Sequence, residues 1–150
     1  MDSLKDTLRP HQLRAYDKMT TEKSGQIIVP TGGGKTFIMI ADCDRILSQT
    51  PRKTQTIVIV APRILLANQL SNEFESAIPN VQIAHVHSGE THHFSTTNHQ
   101  ELTHWSCTNP QYDKLIFTTY HSLHRVLDSM AVSYTHLRAH ETVLDLVCRL

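Results

Sequence analysis

The stretch that most constrains this chain is "QIIVPTGGGKT", Gln26 to Thr36. It sets a short apolar run, consecutive glycines, Lys-Thr and the start of an amphipathic segment in that order. Glycines 32, 33 and 34 allow positive φ and close approach, so successive backbone N–H groups can converge on one point, helped by the positive end of the following helix. That is the form of a phosphate cradle. Lys35 would reach the β- and γ-phosphates, and Thr36 would offer its hydroxyl to Mg2+. A glycine turn that only caps a helix is the alternative; a strand before and a helix after favour the cradle. One departure stands out, because Val29 occupies the first glycine position of the G-x-x-x-x-G-K-[ST] pattern.

Elsewhere the chain alternates short β-branched runs with longer amphipathic segments, the pattern of βαβ units around a parallel sheet. Strands are expected at Gln26 to Val29, Thr56 to Ala61, Val81 to His87 and Lys114 to Thr119. The first, second and fourth are apolar enough to be buried on both faces. Arg9 to Met19 reads as a leading helix with Pro10 in its first turn, where a missing N–H costs little. Lys35 to Leu47 reads as a helix with Phe37, Ile38, Ile40, Ala41 and Leu47 inward. Ile64 to Ile78 places Leu65, Leu66, Gln69, Leu70 and Phe74 near helical spacing, with Pro79 helping to end it. Glu90 to Asp113 is polar and reads as a surface insertion with one helix around Gln100 to Trp105. There is no internal repeat.

A chain of 150 residues with 39% hydrophobic residues fits one domain with a real core. Fourteen basic residues balance fourteen acidic ones, so no global positive field announces a nucleic-acid partner and any such contact must come from a local patch. Cys43, Cys107 and Cys148 lack C-x-x-C spacing, which argues against a disulfide framework or a cysteine-rich zinc site and for a reducing cytoplasm. The start "MDSLKDTLRPHQ" has no secretory pattern, and no apolar stretch approaches the roughly 18 residues that cross a bilayer. No membrane partner is expected.

The wording x-P-T-G-G-G-K-T resembles motif I of the superfamily 2 helicases and translocases, whose first position is often Ala, Val or another small apolar residue. "LRPHQLRAY", Leu8 to Tyr16, resembles the upstream segment that reads adenine; the amide of Gln12 can pair with adenine's N6 and N7 edge in two parallel hydrogen bonds. For Gln12 alone, a solvated helix glutamine is the alternative, and its spacing ahead of the cradle favours the adenine role. The resemblance implies an ATP site of Arg9, Gln12, Thr31, Gly32, Gly33, Gly34, Lys35 and Thr36, with Lys35 and Thr36 catalytic and Mg2+ on Thr36.

"VAPRILLANQL", Val60 to Leu70, resembles motif Ia, and "IFTTYHSL", Ile116 to Leu123, resembles motif Ib. These imply nucleic-acid binding by Pro62, Arg63, Thr118 and Thr119. Arg63 joins a cation to helix N-terminal amides, and the threonines would hydrogen-bond sugar-phosphate oxygens from a strand end. A solvated charge is the alternative for Arg63. The ordered set, from Leu8 to Leu123, looks most like the DNA-directed branch that holds type III restriction subunits, repair translocases and phage helicases, rather than the DEAD-box group. It implies an α/β fold, a RecA-like P-loop parallel sheet with helices on both faces, incomplete. It also implies the ATP-binding part of an ATP-dependent DNA helicase or translocase in a bacterial or phage-infected cytoplasm, contacting the DNA backbone. A stand-alone nucleotide-binding or interaction module is the other reading. The oligomeric state is not legible.

Of the eleven histidines, His85, His87, His92, His93, His99 and His104 lie close in sequence, with Cys107 beyond. No pair has the ligand spacing of a recognisable zinc motif, so a solvated polar loop is expected.

In the resembled superfamily, hydrolysis uses a D-E-x-[DH] motif after motif Ib and a second motor domain. Neither occurs here, so ATP–Mg2+ binding without turnover is expected. Residues 1–130 are accordingly expected to be a partial first RecA-like domain. Residues 131–150, "AVSYTHLRAHETVLDLVCRL", are expected to be a non-native tail, because they resemble a run that recurs at the ends of unrelated translations of environmental DNA. A genuine divergent helix with Val143, Leu144, Leu146, Val147 and Leu150 on one face is the alternative.

Overall fold

β-Branched runs and amphipathic segments alternate along the chain as anticipated. The computed structural model describes residues 4–22, 25–49, 54–129, 136–139 and 145–147. After a 3-10 turn at Leu4–Thr7 come α1 (Pro10–Thr21), β1 (Gly25–Ile27), α2 (Lys35–Leu47), β2 (Thr56–Ala61), α3 (Ile64–Ala77) and β3 (Val81–Val86). They are followed by β4 (Phe94–Ser95), α4 (His99–Cys107), β5 (Asp113–Thr119), α5 (Leu123–Ser129), β6 (His136–Ala139) and β7 (Asp145–Val147). The main sheet has the order β4-β3-β5-β2-β6, and every neighbouring pair in it is parallel.

Period-2 alternation divides the strands between two cores. Ile57, Ile59 and Ala61 of β2 and Leu115 and Phe117 of β5 face Leu70 and Phe74 of α3, together with Met39, Cys43 and Ile46 of α2. Val58 and Val60, Ile116, and Ala84 and Val86 of β3 face Leu102 of α4 and Val126 of α5. The register sets Val58 beside Ile116 and Ile116 beside Ala84, so both layers stay continuous across the sheet. Helices therefore cover both faces. Phe74 and Phe117 meet edge to face, with centroids 5.5 Å apart. Burying each of these large side chains contributes roughly 1.5–3 kcal/mol.

The first strand is a correction. Instead of a strand over Gln26 to Val29 buried on both faces, β1 is short, largely exposed and outside the main sheet, pairing antiparallel with β7. Beside β2, one edge is taken by β5 and the other by β6, so no place next to it remains for β1. Ile28 is accordingly 70% exposed. Phe37 and Leu65, expected inward, are 63% and 82% exposed. Residues 131–150, expected to be a foreign tail, lie mostly outside the described residues; within them, β6 pairs with β2 from Ile57 to Val60. A helix over residues 143–150 is not what is described there, since Asp145–Val147 is strand.

Candidate nucleotide and nucleic-acid sites

Val29 explains why the loop begins with an apolar residue. It is buried with Met19 of α1 and Ile38 of α2, flanked by Ala15 and Ile27, so its side chain anchors the loop's entrance to the α1–α2 pair. The Gly33 N–H donates to the Pro30 carbonyl at 2.9 Å, closing a tight turn. A side chain at Gly33 would collide with Val29 and with the Pro30 carbonyl. Gly32 and Gly34 sit at φ 79° and 73°, in the left-handed region that glycine tolerates. Gly34 is the N-cap of α2, no side chain caps it, and the first turn holds no acidic residue. The first amides of α2 are thus left to an external acceptor, the condition for anion binding at a helix start.

The α1 helix grips this loop. Gln12, only 4% exposed, accepts from the Arg9 N–H at 2.8 Å and donates from Nε2 to the Gly33 and Gly34 carbonyls at 3.2 Å each. His11 Nε2 also donates to the Gly33 carbonyl, at 2.9 Å. Both Nε2 hydrogens of Gln12 are therefore committed to the loop, a different use from pairing with adenine. A side chain at Gly34 would drive into that amide.

A cleft of 280 Å³ opens here, lined by Thr7, Arg9, Gln12, Gly32, Gly34 and Phe37. Arg9, Gln12 and the outer glycines are thus brought together from α1 and the loop. Thr31 is exposed, and Lys35 and Thr36 lie half-buried in the first turn of α2. Among the described residues, no carboxylate lines the cleft.

The other expected set gathers in a second cleft of 380 Å³ at the C-terminal ends of β2, β3 and β5, the edge where open α/β sheets place ligands. Pro62, Arg63, Ile64 and Leu65 line one side; His87 and Ser88, and Thr119, His121 and Ser122, line the rest. Arg63 is the exposed N-cap of α3, extended at φ −139°, with no side-chain cap on the helix. Thr119 borders the cleft, but Thr118 does not. Its hydroxyl is fully buried and donates to the Val86 carbonyl at 2.9 Å, so it ties β5 to β3. His87 is held by the Gly89 N–H, which donates to its Nδ1 at 3.1 Å.

His11, Phe37 and Leu65 were not anticipated at these sites. His11 was adjacent to Gln12 in the quoted segment and was the one legible neighbour. Phe37 and Leu65 each occupy the first turn of a helix that starts at a ligand-facing edge, where an apolar side chain overhangs the cleft instead of the core.

Among the described residues no helix is long and apolar enough to cross a membrane. No curated protein matches the chain. Among solved structures, it is similar to a nuclease-deletion mutant of the Type ISP restriction-modification enzyme LlaGI in complex with a DNA substrate mimic. The TM-score is 0.73 at 17% identity, over 89% of this chain and 15% of that one. This likeness shows the fold, a RecA-like α/β fragment, and the chain spans only that small share of the larger protein. A family model described as type III restriction enzyme, res subunit (ResIII) matches residues 5–144, and the chain belongs to that family of ATP-dependent, helicase-like enzymes.

Proposed function

We propose that this chain is the ATP-binding part of an ATP-dependent DNA helicase or translocase of the cytoplasm. The observation that carries it is the left-handed glycine turn at the N-terminus of α2, which no side chain caps. Phosphates suit this turn, because Gly32 and Gly34 hold the left-handed φ that glycine tolerates and the space beside Gly32 is open. Thr31 to Gly34 supply backbone amides, Lys35 supplies the cation, and Thr36 the hydroxyl for Mg2+. When bound, Mg2+ neutralises charge on the phosphate oxygens. Adenine selectivity through Gln12 uses the second lone pair of Oε1 for the N6 amine, since Nε2 is held by the loop.

Arg63 and Thr119 hold the DNA backbone in the second cleft, with Pro62 shaping the turn between β2 and α3. Support comes from family membership and from a structural neighbour in complex with a DNA substrate mimic. Thr118 does not touch the DNA backbone in this reading; its hydroxyl serves the fold by tying β5 to β3. The described residues bind nucleotide without turning it over, because none of those lining the cleft is an acid that could hold Mg2+ and orient water. That same lack favours a second reading, a nucleotide-binding or interaction module without motor activity. We further propose that residues 1–130 are native sequence of this domain and residues 131–150 a non-native tail.

Titration with a fluorescent ATP analogue tests the cradle. Lys35→Ala should remove most of the affinity, and phosphate release should stay at background with or without DNA. Equal affinity in the two proteins would reject the cradle, and robust DNA-stimulated release would reject the inactive-fragment reading.

A further inference from the structure

A second cluster, away from both clefts, joins the outer part of α3 to the bend before β4. Glu75 Oε2 lies 3.5 Å from His92 Nε2 and 3.2 Å from His93 Nε2. All three ligand atoms fall within 4.8 Å of one another. In an extended strand, neighbouring side chains point to opposite sides, but the bend at His92 and His93 brings both rings together, with centroids 3.8 Å apart. The His93 side chain is 9% exposed, and neither ring nitrogen makes a hydrogen bond among the described residues. The Glu75 oxygen lies 3.2 Å from Nε2 without completing a hydrogen bond to it.

The distances describe ligands arranged around a common point. Ligand atoms about 2.0–2.1 Å from a tetrahedral ion sit about 3.3–3.4 Å from one another. The observed separations from Glu75 bracket that edge length.

We propose that Glu75, His92 and His93 form a transition-metal site, taking Zn2+ with water in the fourth position. Two imidazoles and one carboxylate suit Zn2+, Co2+ or Ni2+, whereas Mg2+ and Ca2+ favour all-oxygen shells. The ion would brace α3 against the segment after β3, reinforcing the bond from Asn68 Nδ2 to the Glu90 carbonyl at 3.1 Å. Because α3 starts at Arg63, the brace fixes the helix whose first turn borders the second cleft. The proposal does not depend on what binds in that cleft.

Zinc chloride is titrated into the chelator-treated full chain by calorimetry and followed by thermal melting; Co2+ substitution reports geometry through visible absorption. One equivalent should bind, raise the melting temperature and give the spectrum of a four-coordinate Co2+ ion. Glu75→Gln and His92→Gln change exposed side chains, so both variants should fold and melt normally without metal. Each should weaken binding more than about 10-fold, given that even partners one step removed from a metal cost about 10–100-fold. His99→Gln combined with His104→Gln should leave the response intact. Absence of saturable binding overturns the site, as does an undiminished response in the Glu75→Gln/His92→Gln double variant or a response lost with His99 and His104.

Discussion

The side-chain amide of Gln12 donates to the carbonyls of both Gly33 and Gly34 at 3.2 Å, so the helix before the loop dictates the loop's shape. Its oxygen is anchored in turn by the Arg9 N–H. An amide held at both ends in a site only 4% exposed acts as a strut. Any adenine contact it makes is coupled to the phosphate loop through this strut.

Gln12→Ala should therefore lower stability by about 1–3 kcal/mol, the cost of leaving buried partners unpaired. Nucleotide affinity should fall with it. Comparing ATP with GTP separates the two roles of Gln12: a collapse of the preference for ATP marks adenine reading. Parallel losses for both nucleotides mean that the residue only props the loop and would defeat the adenine assignment.

Much of this arrangement was legible because it is local. The bounds of α2 and β2 follow from apolar spacing and flanking turn chemistry, and both form over the expected residues. Burial of β1 was not legible, because it depends on which strand occupies the edge beside β2, a long-range choice that the run "QIIV" does not encode. Periodicity likewise placed Phe37 and Leu65 inward, since it specifies a helix face but not where the neighbouring sheet ends. Glu75 was invisible as a partner of His92 and His93 because only the packing of α3 beside the bend brings them together.

In the second cleft, adjacent threonines make opposite predictions. Thr119→Val and Arg63→Ala should each weaken DNA binding at low salt, and Arg63→Ala should reduce the salt dependence by about one phosphate contact. Thr118→Val should leave binding unchanged while costing roughly 1 kcal/mol of stability, because its hydroxyl serves the Val86 carbonyl. Fluorescence anisotropy over a salt series reads both quantities. Equal binding losses at Thr118 and Thr119 would show that the hydroxyl leaves the sheet to meet DNA.

Stability should decline in mild acid, with His85 as the main cause. Burial first, then the neighbouring His87, His93 and His92, pushes its pKa down from 6.5 to about 3. His87 donates to His85 Nδ1 at 2.9 Å, and the rings of His93 and Phe117 stack over it at 5.4 and 5.5 Å. The unfolded chain takes up a proton near pH 6.5 that the folded chain refuses, so this contribution is complete above pH 6.5 and is lost as pH falls toward 3. One such group changes stability by at most about 1.4 kcal/mol per pH unit. His87 and His93, also lowered by burial, add in the same direction, with Glu75 opposing at His93. Urea unfolding between pH 7.5 and 5 in chelator should show this slope, and His85→Phe should flatten it. An unchanged slope would place the proton uptake elsewhere.

The division at residue 130 can be tested in the same way. β6 lies parallel to β2 across Ile57 to Val60, and the family match runs to residue 144. Strand pairing through backbone groups asks little of sequence, however, since an open strand edge accepts almost any extended segment. Side-chain packing is more demanding. If residues 131–150 are foreign, another segment belongs beside β2, and an independent clone of the source locus should give different codons from 131 onward. A chain carrying that continuation should melt higher than this one, because its side chains would be matched to the face formed by Val58 and Val60. Recovery of the same tail from an adapter-free clone would make β6 a native strand and extend the domain through it.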